Sequence, residues 1–340
     1  MDRRLLRWVL TVCVLLAILL AVSTLSLLLG PSGVSPGAIV RAILGGKEDA
    51  ARAILFDIRL PRILLGFAIG GSLSLAGVIL QTMFRNPLVE PYTLGISGGA
   101  ALGVSITTIL RLGGPLGLYA LPASGFVGAF CVILFLRVMA ANRSVLTIQG
   151  LLLIGVMISF ISSSAVLLIM SISGVEELHY ILFWIIGSLG ETDWSLVKPA
   201  LFFSVVGLVF AYFFWPDLNA LRLGEEDALH LGVHVERTKR ILFILASVLT
   251  GISVSLAGAI GFVGLVVPHF VRMFTGGDHR ILLVSTFLSG ASFLIFCDCI
   301  AKSVIQPVEL PVGVVTGLLG GVLFIYTMTR RAKATGGTGA

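Results

Sequence analysis

The sequence is poor in charge. Only 12% of its 340 residues are Asp, Glu, Lys or Arg, about half the share of an ordinary soluble domain. The apolar residues make up 57%, and 40 glycines come on top of that. With 23 Lys+Arg and 17 Asp+Glu the chain cannot clothe a water-soluble fold of this length. A soluble globular domain is excluded, and lipid is the solvent for most of the protein. Cysteine is scarce too. Cys13, Cys131, Cys297 and Cys299 stand inside apolar runs with no C-x-x-C pair, as small hydrophobes, and carry no redox or metal argument. There is no H-E-x-x-H, no aspartate-rich diphosphate motif and no His, Asp or Glu cluster with metal-ligand spacing, so no metal site is expected. A nucleotide loop G-x-x-x-x-G-K-[ST] is also missing, since Gly45-Gly46-Lys47 runs into Glu48. Any ATP, with its magnesium, would have to be used by another chain, and no cofactor is expected on this one.

What is present is a series of apolar runs. Residues 8–29 follow Arg3, Arg4 and Arg7 and are too long for a signal-peptide core, so they read as a retained helix. Further spans are expected at 63–84, 92–110, 116–136, 147–171, 195–215, 241–258, 259–275, 281–301 and 311–329. The stretch 241–275 is too long for one crossing and is divided at Gly258, Gly261 and Gly264, which leaves a short second piece. Residues 178–189 are apolar but only a short helix in length, between Glu176, Glu177 and Glu191, Asp193, and suit an interfacial or re-entrant helix. The expected fold class is an all-α integral membrane protein of about ten transmembrane helices in one compact bundle. Short interfacial and cytoplasmic helices complete it, in a single domain over residues 1–335 with a flexible tail at 336–340.

The net charge of +6 lies in short clusters between the runs, not on one basic face, so it signals topology and not nucleic acid. With the N-terminus inside, only Arg41, Lys47, Arg52, Arg59, Arg62, Arg111, Lys198 and Lys302 of the 23 basic residues fall outside. The others are cytoplasmic, as the positive-inside rule asks, and both termini are then cytoplasmic. The long external loop is 30–62 and the long cytoplasmic loop 217–240. Small residues recur at helical spacing in Gly66/Gly70, Gly95/Gly99/Gly103 and Gly313/Gly317/Gly321, as close helix packing needs.

Reactive constellations are few. Gly95-Ile96-Ser97-Gly98 matches the G-x-S-G of intramembrane serine proteases, but the only span histidine to serve as base is His269, near Arg272, and a match of four residues in so Gly/Ser-rich a chain is expected by chance. An ion-coupled secondary transporter would carry an ionisable group in mid-span. Here only Asp298 and Lys302 offer one, and at i,i+4 they read first as a local salt bridge at the outer end of the ninth span. Two polar stretches stand out. In 217–240, Gly224-Glu225-Glu226-Asp227-Ala228-Leu229-His230-Leu231-Gly232 has acids at a helix start and a glycine stop, the pattern of a short surface helix. At the outer approach to the second span, Arg59-Leu60-Pro61-Arg62 holds two guanidinium groups where the proline is expected to fix a turn. They suit lipid phosphate or the acidic residues of a partner.

These residues carry a resemblance. Arg59-Leu60-Pro61-Arg62, Gly77-x-x-x-Gln81, Asn86-Pro87-Leu88-Val89-Glu90-Pro91 and Leu94-Gly95-Ile96-Ser97-x-Gly99-Ala100 closely resemble the permease subunits of ABC importers for iron-siderophores, haem and cobalamin. So do Trp184-Ile185-Ile186-Gly187-Ser188-Leu189, Leu223-Gly224-Glu225, the run from Ala257 to His269, and Glu309-Leu310-Pro311-Val312-Gly313, so that the resemblance spans the chain. It implies a ten-helix permease in a bacterial or archaeal inner membrane, paired with a second copy as a homodimer. Two ATP-binding subunits would power it and an external substrate-binding protein would supply it. By motif position the resemblance implies that Arg59, Arg62 and Lys302 receive acidic residues of the binding protein. Asn86 and Leu88, with Thr147, Ile148 and Gln149, would form the cytoplasmic gate. Gly224, Glu225, Glu226, Asp227, Ala228, Leu229 and Gly232 would couple to the ATPase, with Ala228 and Leu229 packing into its cleft. A pathway for so large a ligand should be apolar and weakly binding, which leaves selectivity to the binding protein.

Overall fold

The computed structural model describes residues 3–30, 36–43, 49–112, 117–141, 148–190 and 193–336. Thr147 and the end of the tail, 337–340, lie outside the described residues, and of Ile148 and Gln149 only the backbone is described, at the start of a helix. Among the described residues there is no strand. The described residues form fifteen α-helices in order: α1 Arg3–Leu28, α2 Pro36–Ile43, α3 Asp49–Ala53, α4 Leu60–Met83, α5 Ile96–Ile109, α6 Ala120–Ala141, α7 Ile148–Ile172, α8 Val175–Ile186, α9 Trp194–Phe213, α10 Trp215–Leu223, α11 Glu225–His230, α12 Val235–Ala257, α13 Val263–Thr275, α14 His279–Ala301 and α15 Val312–Gly336. Seven of the membrane-length stretches are long and apolar enough to cross a bilayer. The shorter apolar helices Ile96–Ile109, Val263–Thr275 and Val312–Thr327 bring the set to the ten expected.

The centre of the bundle is α4. It is buried over nearly its whole length and packs against α14, α12, α9 and α13. Small residues allow this. A Cβ on Gly70 would overlap the Gly290 carbonyl of α14, and one on Gly77 the Gly264 carbonyl of α13, so both helices touch α4 backbone to backbone. The Gly99/Gly103 ladder does the same for α5 against Gly128 and Ser124 of α6. The series at 313, 317 and 321 is corrected. Gly313 lies against the Ile186 carbonyl, but Gly317 faces open space.

Two local expectations also change. Pro61 makes no turn: the chain runs without a break as helix α3, a π-helical turn Ile54–Arg59 and then α4, with Pro61 the second residue of α4. The cytoplasmic loop expected at 217–240 is shorter, because α10 begins at Trp215 and α12 already at Val235. The division within 241–275 is as expected. Gly258 (φ 70°) ends α12, an extended link follows, and Phe262 (φ 68°) starts the 13-residue α13. The short apolar helix expected near 178–189 is α8.

Candidate functional site

The basic residues sort to two ends of the bundle. Arg59, Arg62 and Lys302 share one end with the close of α1; Arg4, Arg85, Arg222 and Arg280 gather at the other, around the start of α14. The residues expected on opposite faces of the membrane are thus at opposite ends.

At the first end the Arg62 guanidinium grips Asp298 of α14. Nε donates to both carboxylate oxygens at 3.0 Å and Nη2 to Oδ1 at 2.8 Å, while Nη1 donates to Glu309 Oε2 at 2.7 Å. Lys302 Nζ donates to the Ser26 carbonyl at 2.8 Å and the Ser26 hydroxyl at 2.7 Å, and lies 4.0 Å from Asp298. Arg59 Nη1 donates to the Leu27 carbonyl. Two cations therefore cap the carbonyl end of α1, where the helix dipole is negative. All three basic side chains are buried, as is Asp298, and only Glu309 is substantially open to solvent, at 37%. The i,i+4 salt bridge read from the sequence is present, but Arg62, from another helix, is the stronger partner of Asp298.

At the opposite end a buried histidine joins three helices. His279, the first residue of α14, has Nδ1 2.8 Å from Asn219 Oδ1 of α10 and Nε2 2.8 Å from Thr82 Oγ1 of α4. Asn219 Oδ1 can only accept, so Nδ1 carries the proton; in a neutral ring Nε2 then accepts from the threonine hydroxyl, whose single proton it shares with the Val78 carbonyl of the same helix, 2.8 Å away. The His279 backbone N–H also donates to Asn219 Oδ1 at 2.9 Å, and the Asn219 amide donates to Asp278 at 3.2 Å. Beside Thr82, Gln81 donates to the carbonyls of Gly264 and Leu265 and accepts from Arg272, each at 3.2 Å. The last turn of α4 is thereby tied to α10, α13 and α14.

The segment that follows α4 is a tight turn. Arg85 adopts φ 48°, Asn86 donates its N–H to the Gln81 carbonyl, and its side chain accepts from Leu88 N–H at 2.9 Å. Asn86 thus shapes the turn, and Leu88, 54% exposed, projects from it. Farther along, the Tyr92 hydroxyl accepts from Ile260 N–H at 3.0 Å. Burial pushes the Glu90 carboxyl up, against the downward pull of a hydrogen bond from the Phe262 backbone. The Asn86 turn and the link between α12 and α13 are stitched together.

The polar segment read as a coupling element forms α10 and α11, separated by Gly224 (φ 149°) and closed by Gly232 (φ 84°). Glu225, Glu226 and Asp227 occupy the first turn of α11 and His230 the last, as the dipole favours. Glu225 pairs with Lys239 at 2.6 Å. Ala228 and Leu229, expected to act together, are divided. Ala228 is completely buried against its own chain, because α11 needs one small face to lie on the bundle, whereas Leu223, Leu229 and Leu231 are each about three-fifths exposed. Sequence reading passed over Asn219, His279 and Thr82; single polar residues at helix ends give no pattern until the fold brings them together.

A many-helix membrane protein is what this architecture defines. The model of the FecCD transport family matches residues 17–330. The chain belongs to that family and is an ABC transporter permease. It is 39% identical over 298 residues to the hemin transport system permease protein HmuU of Yersinia pestis, covering 85% of this chain and 87% of that one. It is 35% identical over 334 residues to the vitamin B12 import system permease protein BtuC of Salmonella typhi, covering 98% of each. A solved structure described as an inward-facing conformation of a metal-chelate type ABC transporter superposes with a TM-score of 0.84 at 29% identity, over 94% of this chain and 98% of the other.

Proposed function

We propose that this chain is the membrane subunit of a binding-protein-dependent importer that moves a bulky metal chelate or corrinoid (an iron-siderophore, haem or cobalamin) into the cytoplasm. Two copies form the pathway in a bacterial or archaeal inner membrane, both termini face the cytoplasm, and ATP is hydrolysed on two separate subunits. The observation that carries this reading is the set of hydrogen bonds from Asn219 of α10, the helix that ends at the exposed Leu223, through His279 to Thr82, whose carbonyl accepts from Arg85 at the start of the Asn86–Leu88 turn. A permease of this family needs such a linkage between an ATP-driven surface and a gate, and these groups supply one without a nucleotide site.

In this reading Leu223, Leu229 and Leu231 enter a cleft of the ATPase while Ala228 seats α11 on the bundle. Leu88, with the start of α7 at Ile148 and Gln149, narrows the cytoplasmic end of the pathway. At the outer end a carboxylate of the binding protein exchanges with Glu309 for Arg62 Nη1, because Glu309 is the exposed member of the cluster, while Arg59 and Lys302 hold the surface from beneath. The test is reconstitution of the chain with its ATP-binding subunits and binding protein in vesicles, offered ferric siderophore, haem and cobalamin in turn. ATP-dependent accumulation of one of them that vanadate abolishes is expected. Accumulation that follows an ion gradient and survives vanadate would replace the reading with an ion-coupled secondary transporter.

A further inference from the structure

Between α1 and α13 lies a cavity of about 590 Å³, backed by Ser289 and Phe293 of α14 and Leu323 of α15. Its walls are aliphatic and aromatic, chiefly Leu10, Val14 and Ile18 facing Val267, Phe270 and Phe274. The threonine hydroxyls in the wall are engaged by their own helices: Thr11 donates to the Arg7 carbonyl at 2.8 Å and Thr275 to the Val271 carbonyl at 2.9 Å. Water would find few partners here and a polar ligand fewer, whereas hydrocarbon fits. The α1 side of the wall, Leu10 to Ile18, rises over roughly 12 Å at 1.5 Å per residue, a length that suits the proximal part of one acyl chain.

One end of the cavity is marked independently. Arg280 lies over two indoles, 5.2 Å from the Trp8 ring and 4.6 Å from the Trp215 ring, and Arg4 lies 5.0 Å from Trp8. Tryptophans of this kind sit at the headgroup level of a bilayer. Trp8 is three residues, about one helical turn, before Thr11, in the part of α1 where the cavity begins. Arg4 and Arg280 both reach Asp278 Oδ2 at 3.0 Å, and the exposed Arg7 lies about one turn beyond Arg4 on the same helix. Burial pushes the Asp278 carboxyl up, but hydrogen bonds from the side chain and backbone of Arg280 and from Asn219 outweigh it and hold it at about 2, so that it is an anion at neutral pH.

We propose that this cavity is a binding site for one anionic phospholipid of the leaflet that surrounds the N-terminus. An acyl chain fills the space between α1 and α13, and the phosphate rests on the Arg4, Arg7 and Arg280 cluster. The site ties α1, otherwise a peripheral helix, to α13, whose Gly264 and Leu265 carbonyls hold Gln81 at the end of α4. The lipid thereby braces the helix end that precedes the Asn86 turn.

The test uses the full chain purified in detergent and stripped of lipid, titrated with phosphatidylglycerol and phosphatidylethanolamine of identical acyl chains and read by native mass spectrometry. Wild type is expected to retain phosphatidylglycerol about tenfold more strongly, the size of effect that one or two arginines at a membrane surface supply. Val14→Trp, which fills the cavity, should lose both lipids. The double variant Arg4→Gln with Arg7→Gln should keep chain binding and lose the headgroup preference. Equal retention of the two lipids by wild type would overturn the proposal without reference to any variant. So would undiminished phosphatidylglycerol on a folded Val14→Trp protein, or a lipid-free wild-type dimer that Val14→Trp breaks apart, since the occupant would then be a second copy.

Discussion

The two ends of the bundle are fastened by different chemistry. Where α1, α4 and α14 meet near Arg62, the fastening is ionic and buried: one guanidinium spends four hydrogen bonds on Asp298 and Glu309, and Lys302 reaches across to α1. Where α4, α10 and α14 meet near His279, the fastening is neutral, a ring between an amide and a hydroxyl. A buried charge that loses its partner costs about 3–5 kcal/mol, so the ionic end has one arrangement it can afford. A neutral hydrogen bond is worth about 0.5–1.5 kcal/mol net, so the other end can exchange partners at little cost. Under the proposed function the ionic end would be the docking face and the neutral end the moving one, the division of labour that an alternating pathway needs.

The comparison breaks most readily at Asp298. Asp298→Asn leaves Arg62 and Lys302 with too little negative charge in a buried place, and a loss of about 3–5 kcal/mol is expected, read as a lowered unfolding temperature in detergent. Arg62→Met combined with Asp298→Leu removes both charges and should recover most of that loss. A single variant as stable as wild type would show that water reaches this cluster and that this end is not clamped.

At the other end, His279→Phe keeps the volume and removes both hydrogen bonds, leaving Asn219 and Thr82 to find other partners. A cost of about 1–3 kcal/mol is expected. The more telling readout is the ratio of ATP hydrolysed to ligand taken up, which should rise because α10 no longer holds α4. Unchanged coupling in a folded variant would move the linkage to the contact between Gly224 and Arg85.

Much of this was legible in the sequence, for physical reasons. Ten apolar runs became ten apolar helices because lipid permits little else, and the α12–α13 break was visible in its glycines. The ion pair of Asp298 with Lys302 follows from i,i+4 spacing. Arg62 as the dominant partner of Asp298 does not, because 236 residues separate them. Pro61 was misread as a turn because the π-helical residues before it leave no signature in composition. Ala228 and Leu229 looked alike because an apolar pair in a polar segment does not say which member faces its own bundle.

Glu309→Gln sharpens the comparison at the Arg62 end with a smaller effect. The carboxylate is partly exposed and Arg62 keeps Asp298, so a change of about 0–1 kcal/mol in stability is expected. With Glu309 neutral, Arg62 Nη1 is left free for the carboxylate of a binding protein, and docking should tighten severalfold at low salt and converge on wild type as salt rises. Weaker docking would mean that Glu309 is itself recognised.

The smallest expected change in stability sits on the surface of α11. Leu229 is 60% exposed, and Leu229→Asp should lie within about 0.5 kcal/mol of wild type, because the helix is seated by Ala228 beneath it. Ala228→Arg is the wrong probe, since a guanidinium has no room there and unfolding would imitate uncoupling. An aspartate at 229 adds a charge to a face already bearing Glu226, and would have to be desolvated in any apolar cleft. Binding of the ATP-hydrolysing subunit should therefore fall at least about tenfold in a pull-down while the melting temperature stays where it was. If association and ligand uptake both remain normal, the leucines of α10 and α11 are not the contact. The neutral end of the bundle would then be driven from a surface other than the one its hydrogen bonds reach.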